Sequence, residues 1–327
     1  MKVFDYRRPQ TLSEAIASGS VPGARYYAGG TNLLDLMKSG VENPDVLVDV
    51  RRLGLDTIAE TPTGGVLLGA GATNSAVANH TLVRTRYPML SQAILSGATT
   101  QIRNMATIGG NLMQRTRCPY FMNPSFAQCN KRTPGSGCGA RDGFNREHAL
   151  FGTESPCVAV HPSDMAVALT ALDAVLHVSG PDGARALPIG EFFLTPGAEP
   201  HRDNGLRTGE MILSVELPPS PFGPRTWYLK VRDRHSYAFA LVSVAAALHI
   251  DGGEIRSAAV ALGGVAAMPW RVPAAESVVI GKPPRRETFL AVAEAALAGA
   301  TPLSQNGFKV TLAKNSVVRA LTRAAEV

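Results

Sequence analysis

Ala24-Arg25-Tyr26-Tyr27-Ala28-Gly29-Gly30-Thr31-Asn32-Leu33-Leu34-Asp35-Leu36-Met37 decides how the chain begins to fold. Residues 24–28, apolar and aromatic, read as a strand. The run ends directly in Gly29-Gly30, after which Leu33, Leu34, Leu36 and Met37 form a helical stripe that Gly40 terminates. Upstream, residues 2–6 alternate as a first strand, and Thr11 caps a short helix with Glu14 in its first turn. Residues 45–50 are the next strand. This β-α-β-α-β order makes residues 1 to about 55 a small α/β unit.

Paired glycines between strand and helix allow two readings. They let a backbone approach an anion closely, with helix N–H groups aimed at it and Thr31 and Asn32 adding donors. They also suit a tight turn with positive φ. Thr107-Ile108-Gly109-Gly110-Asn111 repeats the chemistry later in the chain, so two turns could grip one pyrophosphate. Neither turn contains lysine, which leaves the work to backbone dipoles. Neither is a G-x-G-x-x-G fingerprint or a Walker A loop.

The 327 residues suffice for about two domains. From residue 56 the texture changes to strands and turns: a strand at 66–70, a helical stretch at 76–95 interrupted before Pro88, a helix at 164–173, and strands at 175–179, 212–217 and 226–231. Residues 218–224, with four prolines and a glycine, mark a boundary between 1–221 and 222–327. The second part has apolar strands at 238–250 and 257–263 and amphipathic helices at 286–298 and 310–325, an α+β pattern. A net charge of +6 with 6% aromatic residues and no long basic run argues against nucleic acid. Nothing approaches a membrane span, and MKVFDYRRPQ at the start is no secretory signal.

Residues 112–157 are rich in Gly, Pro and Arg and have no sustained period. They hold all four cysteines, Cys118, Cys129, Cys138 and Cys157. Four thiolates suit a [4Fe–4S] cluster or an all-thiolate zinc site. Disulfides fit poorly without an export signal, and zinc fits poorly without close C-x2-C pairs, but spacing leaves all of these open. Arg115, Arg117, Lys131, Arg132, Arg141 and Arg146 outnumber the acids of the segment, as a negatively charged cluster would favour.

Further motifs follow in order: His161-Pro162-Ser163-Asp164, Gly209-Glu210-Met211-Ile212-Leu213-Ser214-Val215, Tyr228-Leu229-Lys230-Val231-Arg232, Ala261-Leu262-Gly263-Gly264-Val265-Ala266 and Pro269-Trp270-Arg271. With the two glycine turns they resemble, over nearly the whole chain, the FAD-binding medium subunits of the xanthine dehydrogenase and carbon monoxide dehydrogenase family of molybdenum hydroxylases. The resemblance implies an α+β chain. Its FAD domain would be of the vanillyl-alcohol-oxidase (PCMH) type in two α/β subdomains, about 1–55 and 56–221, followed by a CO dehydrogenase flavoprotein C-terminal domain. It implies that Ala28, Gly29, Gly30, Thr31, Asn32, Leu33, Thr107, Gly109, Gly110 and Asn111 hold the FAD pyrophosphate. Asp164 and Lys230 would lie beside the ring and Leu213 would pack on it.

The family's second turn and aspartate motif usually lie close together; here residues 112–157 intervene. Residues 111–121 and 129–138 resemble the flavin subunit of bacterial periplasmic aldehyde oxidoreductases, which implies a [4Fe–4S] cluster on Cys118, Cys129, Cys138 and Cys157. It also implies a heterotrimer with a small [2Fe–2S] subunit and a large molybdenum-cofactor subunit that oxidises the aldehyde. The expected compartment is the periplasm, reached on a signal-bearing partner, with the cytoplasm as the alternative. Two other readings stand beside this one. The first is a free-standing flavin oxidase, for which His235 and Tyr237 are the candidate bases. The second is a zinc-stapled assembly scaffold.

Overall fold

Three sheets organise the computed structural model, which describes residues 1–327. The first contains β1 (Asp5–Arg7), β2 (Ala24–Tyr27) and β3 (Val46–Asp49), all parallel in the order β1-β3-β2. Its central strand, Val46-Leu47-Val48-Asp49, is buried throughout, as a strand covered on both faces must be. Thr11 caps the helix Leu12–Gly19 by accepting from the Glu14 N–H. The first strand pairs only from Asp5, so Lys2 to Phe4 lie outside the strand expected from their alternation.

The second sheet is antiparallel: β4 (Ile58–Glu60), β5 (Val66–Gly69), β6 (Val175–Gly180), β7 (Gly183–Pro188) and β8 (Met211–Leu217), ordered β4-β5-β8-β6-β7. Opposite it, the helical stretch expected at 76–95 is three helices, Asn74–Asn79, Thr81–Arg86 and Pro88–Ser96. His80 and Tyr87 leave helical geometry, with ψ 135° and 53°. Pro88 favours an extended Tyr87 and then starts the third helix at its first position.

The third sheet is β9 (Thr226–Val231), β10 (Val242–Asp251), β11 (Glu254–Gly263) and β12 (Trp270–Arg271), antiparallel in the order β12-β11-β10-β9. Gly252 and Gly253, both at positive φ, turn β10 into β11. The sheet is buried on both sides. Val242, Val244, Ala246 and Leu248 pack against Phe289, Val292, Val317 and Leu321 of the helices Arg286–Ala296 and Phe308–Glu326. Ala245, Ala247, Ala259 and Ala261 join the core of the second sheet and the helix Asp164–Ala171. Two covered faces explain why β10 is apolar without alternation.

Small residues let that contact close. A Cβ on Gly263 would lie 2.6 Å from a Val167 methyl and would also collide with the Ser243 hydroxyl. Replacing Gly263 with alanine should therefore push helix and sheet apart and destabilise the protein by about 1–3 kcal/mol. Because both parts share one core, denaturant unfolding should show the loss as one shifted transition. A separate early transition of the C-terminal part would contradict the shared core.

Candidate functional site

The two glycine turns meet. Gly30, at φ 71°, delivers β2 into the helix Leu33–Lys38, with Ala28, Thr31 and Leu33 half-buried around the turn. A Cβ on Gly29 would collide with the carbonyl of Met105, just before the second turn. There Thr107 Oγ1 accepts from Gly110 N–H at 3.2 Å and starts the helix Ile108–Leu112. Gly109 N–H donates to the Ala70 carbonyl at 2.9 Å. Asn111 Oδ1 accepts from Ser163 Oγ (2.6 Å) and Gln114 Nε2 (2.7 Å). Asn32 Oδ1 accepts from Arg115 N–H at 2.9 Å, which fixes the amide, while its Nδ2 is buried without a partner. A buried unmet donor of this kind is what an anionic ligand would satisfy.

Asp164 opens its helix behind Ser163, whose Oγ accepts from Ala166 N–H at 3.0 Å. Both its oxygens are occupied. Tyr228 OH donates to Oδ1 at 2.7 Å, and Lys230 Nζ pairs with Oδ2 at 2.7 Å while donating to the Ser96 carbonyl at 3.1 Å. The side chains of Lys230 and Asp164 are 3% and 8% exposed, so this is a buried pair. Burial, and then the neighbouring Asp164 charge, push the Tyr228 phenol well above its ordinary range. Leu213 sits where β8 skips a residue against β6, and its carbonyl accepts from Ala70 N–H at 2.9 Å. Such a bulge re-aims a side chain, here beside the second glycine turn.

A cavity of about 640 Å³, open solvent included, is lined by Ser163, Asp164, His161, Cys118, His148, Phe239 and Gly264 among others. The glycine turns do not line it; Ser163, bonded to Asn111, links them to it. His161 Nε2 and His148 Nδ1 are buried without partners. Burial holds both imidazoles down to about 4, so both are neutral at pH 7. Arg117 also lines the cavity, and its guanidinium lies over the Phe239 ring.

All four cysteines are free thiols and line one second cavity, about 270 Å³ with open solvent included. Cys129 and Cys138 face each other across an isolated antiparallel bridge. Cys118 lines both cavities. Its sulfur lies 3.2 Å from His148 Nε2, and burial pushes its thiol up to about 12. No three Cys, His, Asp or Glu side chains converge closely enough to hold a single ion.

The basic surplus of the segment is partly neutralised from outside. Arg115 pairs with Asp203 at 2.7 Å and with Glu42, Lys131 with Asp203 at 2.5 Å, and Arg146 with Asp233 at 2.8 Å. Tyr228 stood inside a quoted motif without a role of its own, and the sequence pattern did not single out His148, Asp203 or Lys309. Lys309, fully buried in the last helix, donates to the carbonyls of Gly264 (2.6 Å) and His148 (2.8 Å). A lysine on the apolar face of an amphipathic helix was its available signal.

Two family models cover the chain: the FAD binding domain in molybdopterin dehydrogenase over residues 2–220, and the CO dehydrogenase flavoprotein C-terminal domain over 227–324. The aldehyde oxidoreductase FAD-binding subunit PaoB of Escherichia coli K12 is 49% identical over 326 residues, 99% of each chain. The carbon monoxide dehydrogenase medium chain of Afipia carboxidovorans is 28% identical over 304 residues, 91% of this chain and 88% of that one. The crystal structure of cyanide-inactivated Cu,Mo-CO dehydrogenase superposes with TM-score 0.77 at 24% identity, covering 100% of this chain and 98% of that one, which shows the fold. The chain therefore belongs to the FAD-binding medium subunits of the molybdenum hydroxylases, components of multi-subunit oxidoreductases.

Proposed function

We propose that this chain is the electron-transfer subunit of a molybdenum-dependent aldehyde oxidoreductase, carrying FAD and a [4Fe–4S] cluster while the aldehyde is oxidised in a partner subunit. One observation carries the reading: the cavity on Asp164 and the cavity ringed by four thiols share Cys118 as a wall. Two redox groups placed there would be neighbours. The aldehyde substrate follows the relative of 49% identity.

Gly29, Gly30, Thr31 and Asn32 would hold the pyrophosphate from one side and Thr107, Gly109, Gly110 and Asn111 from the other, with Ala28 and Leu33 flanking. The unmet Asn32 Nδ2 fits such an anion. Leu213 would pack on the ring. Asp164 borders its cavity, and Lys230 would act through Asp164, to which it is already paired. FAD supplies the chemistry that joins two-electron and one-electron transfers; the protein orients it and tunes its potential.

For the metal, a zinc ion would draw four sulfurs to about 2.3 Å of one point. Four thiols lining one space suit the larger span of a multi-atom cluster. As partners we propose a [2Fe–2S] subunit and a molybdenum-cofactor subunit in a heterotrimer, exported to the periplasm on a partner's signal. Against a free-standing oxidase, His235 and Tyr237 lie on the exposed turn after β9, and neither lines the cavity.

Asn32→Asp keeps the acceptor for Arg115 N–H but sets a carboxylate against the pyrophosphate. FAD affinity should fall about tenfold or more, read as flavin retained per chain, at unchanged Tm of the flavin-free protein. Undiminished flavin would remove Asn32 from the site. The purified chain should carry about four iron atoms, and Cys129→Ser should strip them; iron-free protein containing zinc would instead support the scaffold reading. When all three subunits are expressed together, this chain should fractionate with the periplasm. Deleting the partner's signal should retain it in the cytoplasm, and export unaffected by that deletion would contradict the carried route.

A further inference from the structure

Cys118 lines both cavities, and His148 stands against its sulfur on the wall of the larger one. His148 is 3% exposed, and its position is fixed twice over through its own backbone. Lys309 Nζ donates to its carbonyl at 2.8 Å, and Asn306 Nδ2 donates to it at 3.1 Å while also reaching the Ala149 carbonyl at 3.0 Å. Both anchors come from the start of the C-terminal helix region, outside the cysteine segment. The ring they position lines the larger cavity and sets Nε2 3.2 Å from the Cys118 sulfur.

A metal-bound cysteine is a thiolate with no proton to donate, so a nitrogen at that distance must be the donor. We propose that His148 Nε2–H donates a hydrogen bond to the Cys118 sulfur and thereby raises the reduction potential of the metal sulfide centre on the side that faces the flavin cavity. This rests on the cluster reading of the thiol cavity. The physical cause is general: a donor at sulfur stabilises the more negative, reduced state more than the oxidised one. The neighbouring thiolates would have different surroundings. The Cys157 sulfur has the Ala159 backbone N–H and the nearby Lys131 charge, and Cys118 has the backbone N–H groups of Tyr120 and Phe121; Cys118 alone adds a side-chain nitrogen at hydrogen-bond distance. His148 is a positioning residue here: it acts through Cys118 and touches no reacting atom of the substrate.

The experiment uses the full chain as purified, with iron and flavin counted first. His148→Phe should leave about four iron per chain but lower the midpoint potential of the cluster in a spectroelectrochemical titration. His148→Gln, whose amide can reach the same sulfur, should return the potential toward the wild-type value. If His148→Phe fails to hold iron, wild-type protein grown with 15N-labelled histidine decides the matter. Pulsed EPR of the reduced centre should resolve coupling to one imidazole nitrogen. An unshifted potential in iron-loaded His148→Phe, or no nitrogen coupling in the wild type, overturns the inference and leaves the cluster reading intact. Wild-type protein without iron overturns the cluster reading itself.

Discussion

The buried pair of Asp164 and Lys230 is the contact on which the arrangement depends. It joins the first residue of a helix in the FAD-binding part to the first strand of the C-terminal sheet, and Tyr228 and the Ser96 carbonyl complete it. Two charges taken out of water offset their own desolvation only when the geometry is good and the remaining donors and acceptors are met; removing one partner costs about 3–5 kcal/mol. Here both carboxylate oxygens are met, and Lys230 has a second acceptor. The pair can form because the facing surface of the sheet is built from Ala245, Ala247, Ala259, Ala261 and Gly263, small enough for helix Asp164–Ala171 to lie close. Alanine on the sheet, charge at its edge and the bordering cavity are consequences of one close approach.

The cysteine segment is a strut of the same assembly. It lacks regular periodicity because it is held from outside: Arg115 reaches Glu42 beside the first sheet and Asp203 beside the second, while Arg146 reaches Asp233 after β9. Its end is fastened to the C-terminal part by backbone hydrogen bonds, Leu150 N–H to the Val265 carbonyl at 2.7 Å and Thr301 N–H to the Leu150 carbonyl at 2.8 Å. A long irregular segment inside a folded domain must satisfy its backbone somewhere. This one does so largely on itself, as in Asn130 N–H to the Gly137 carbonyl at 2.7 Å and Gly139 N–H to the Gln128 carbonyl at 3.0 Å, and the outside ties fix where the thiols sit.

The α+β class, the order of the elements and the glycine turns were legible because each has a local cause: Thr11 as a cap, Gly30 at positive φ, Pro88 as a stop, and paired covered faces behind an unbroken apolar strand. The short pieces β4 and β12 left no pattern because two or three residues barely sample a period, and β7 is mostly exposed, with no buried alternation to betray it. The partner of Lys230 was hidden for a related reason. A buried pair with a residue 66 positions away leaves no local pattern, and only the resemblance marked the position. Likewise His161 stood inside a recognised motif while His148 did not, although both end with an unmet nitrogen in the interior.

Counting cations in the cysteine segment suggested a basic surround for a negatively charged cluster, and the pairing pattern divides that surround in two. Arg115, Lys131 and Arg146 are matched by carboxylates and contribute little net field. Arg141 donates to the carbonyls of Thr153 and Ser155, Arg132 to those of Tyr120, Phe121 and Phe126, and Arg117 to that of Arg115. These three keep their charge uncancelled while bracing the backbone around the thiols. In the proposed holoprotein, compensation for the cluster would fall to them and to donors placed directly on sulfur. A guanidinium held by carbonyls cannot move to follow a change in charge, so its field acts equally before and after an electron arrives. It shifts the potential by a fixed amount and adds little reorganisation. That is the property a centre next to a flavin requires if electrons are to pass between them without the protein rearranging.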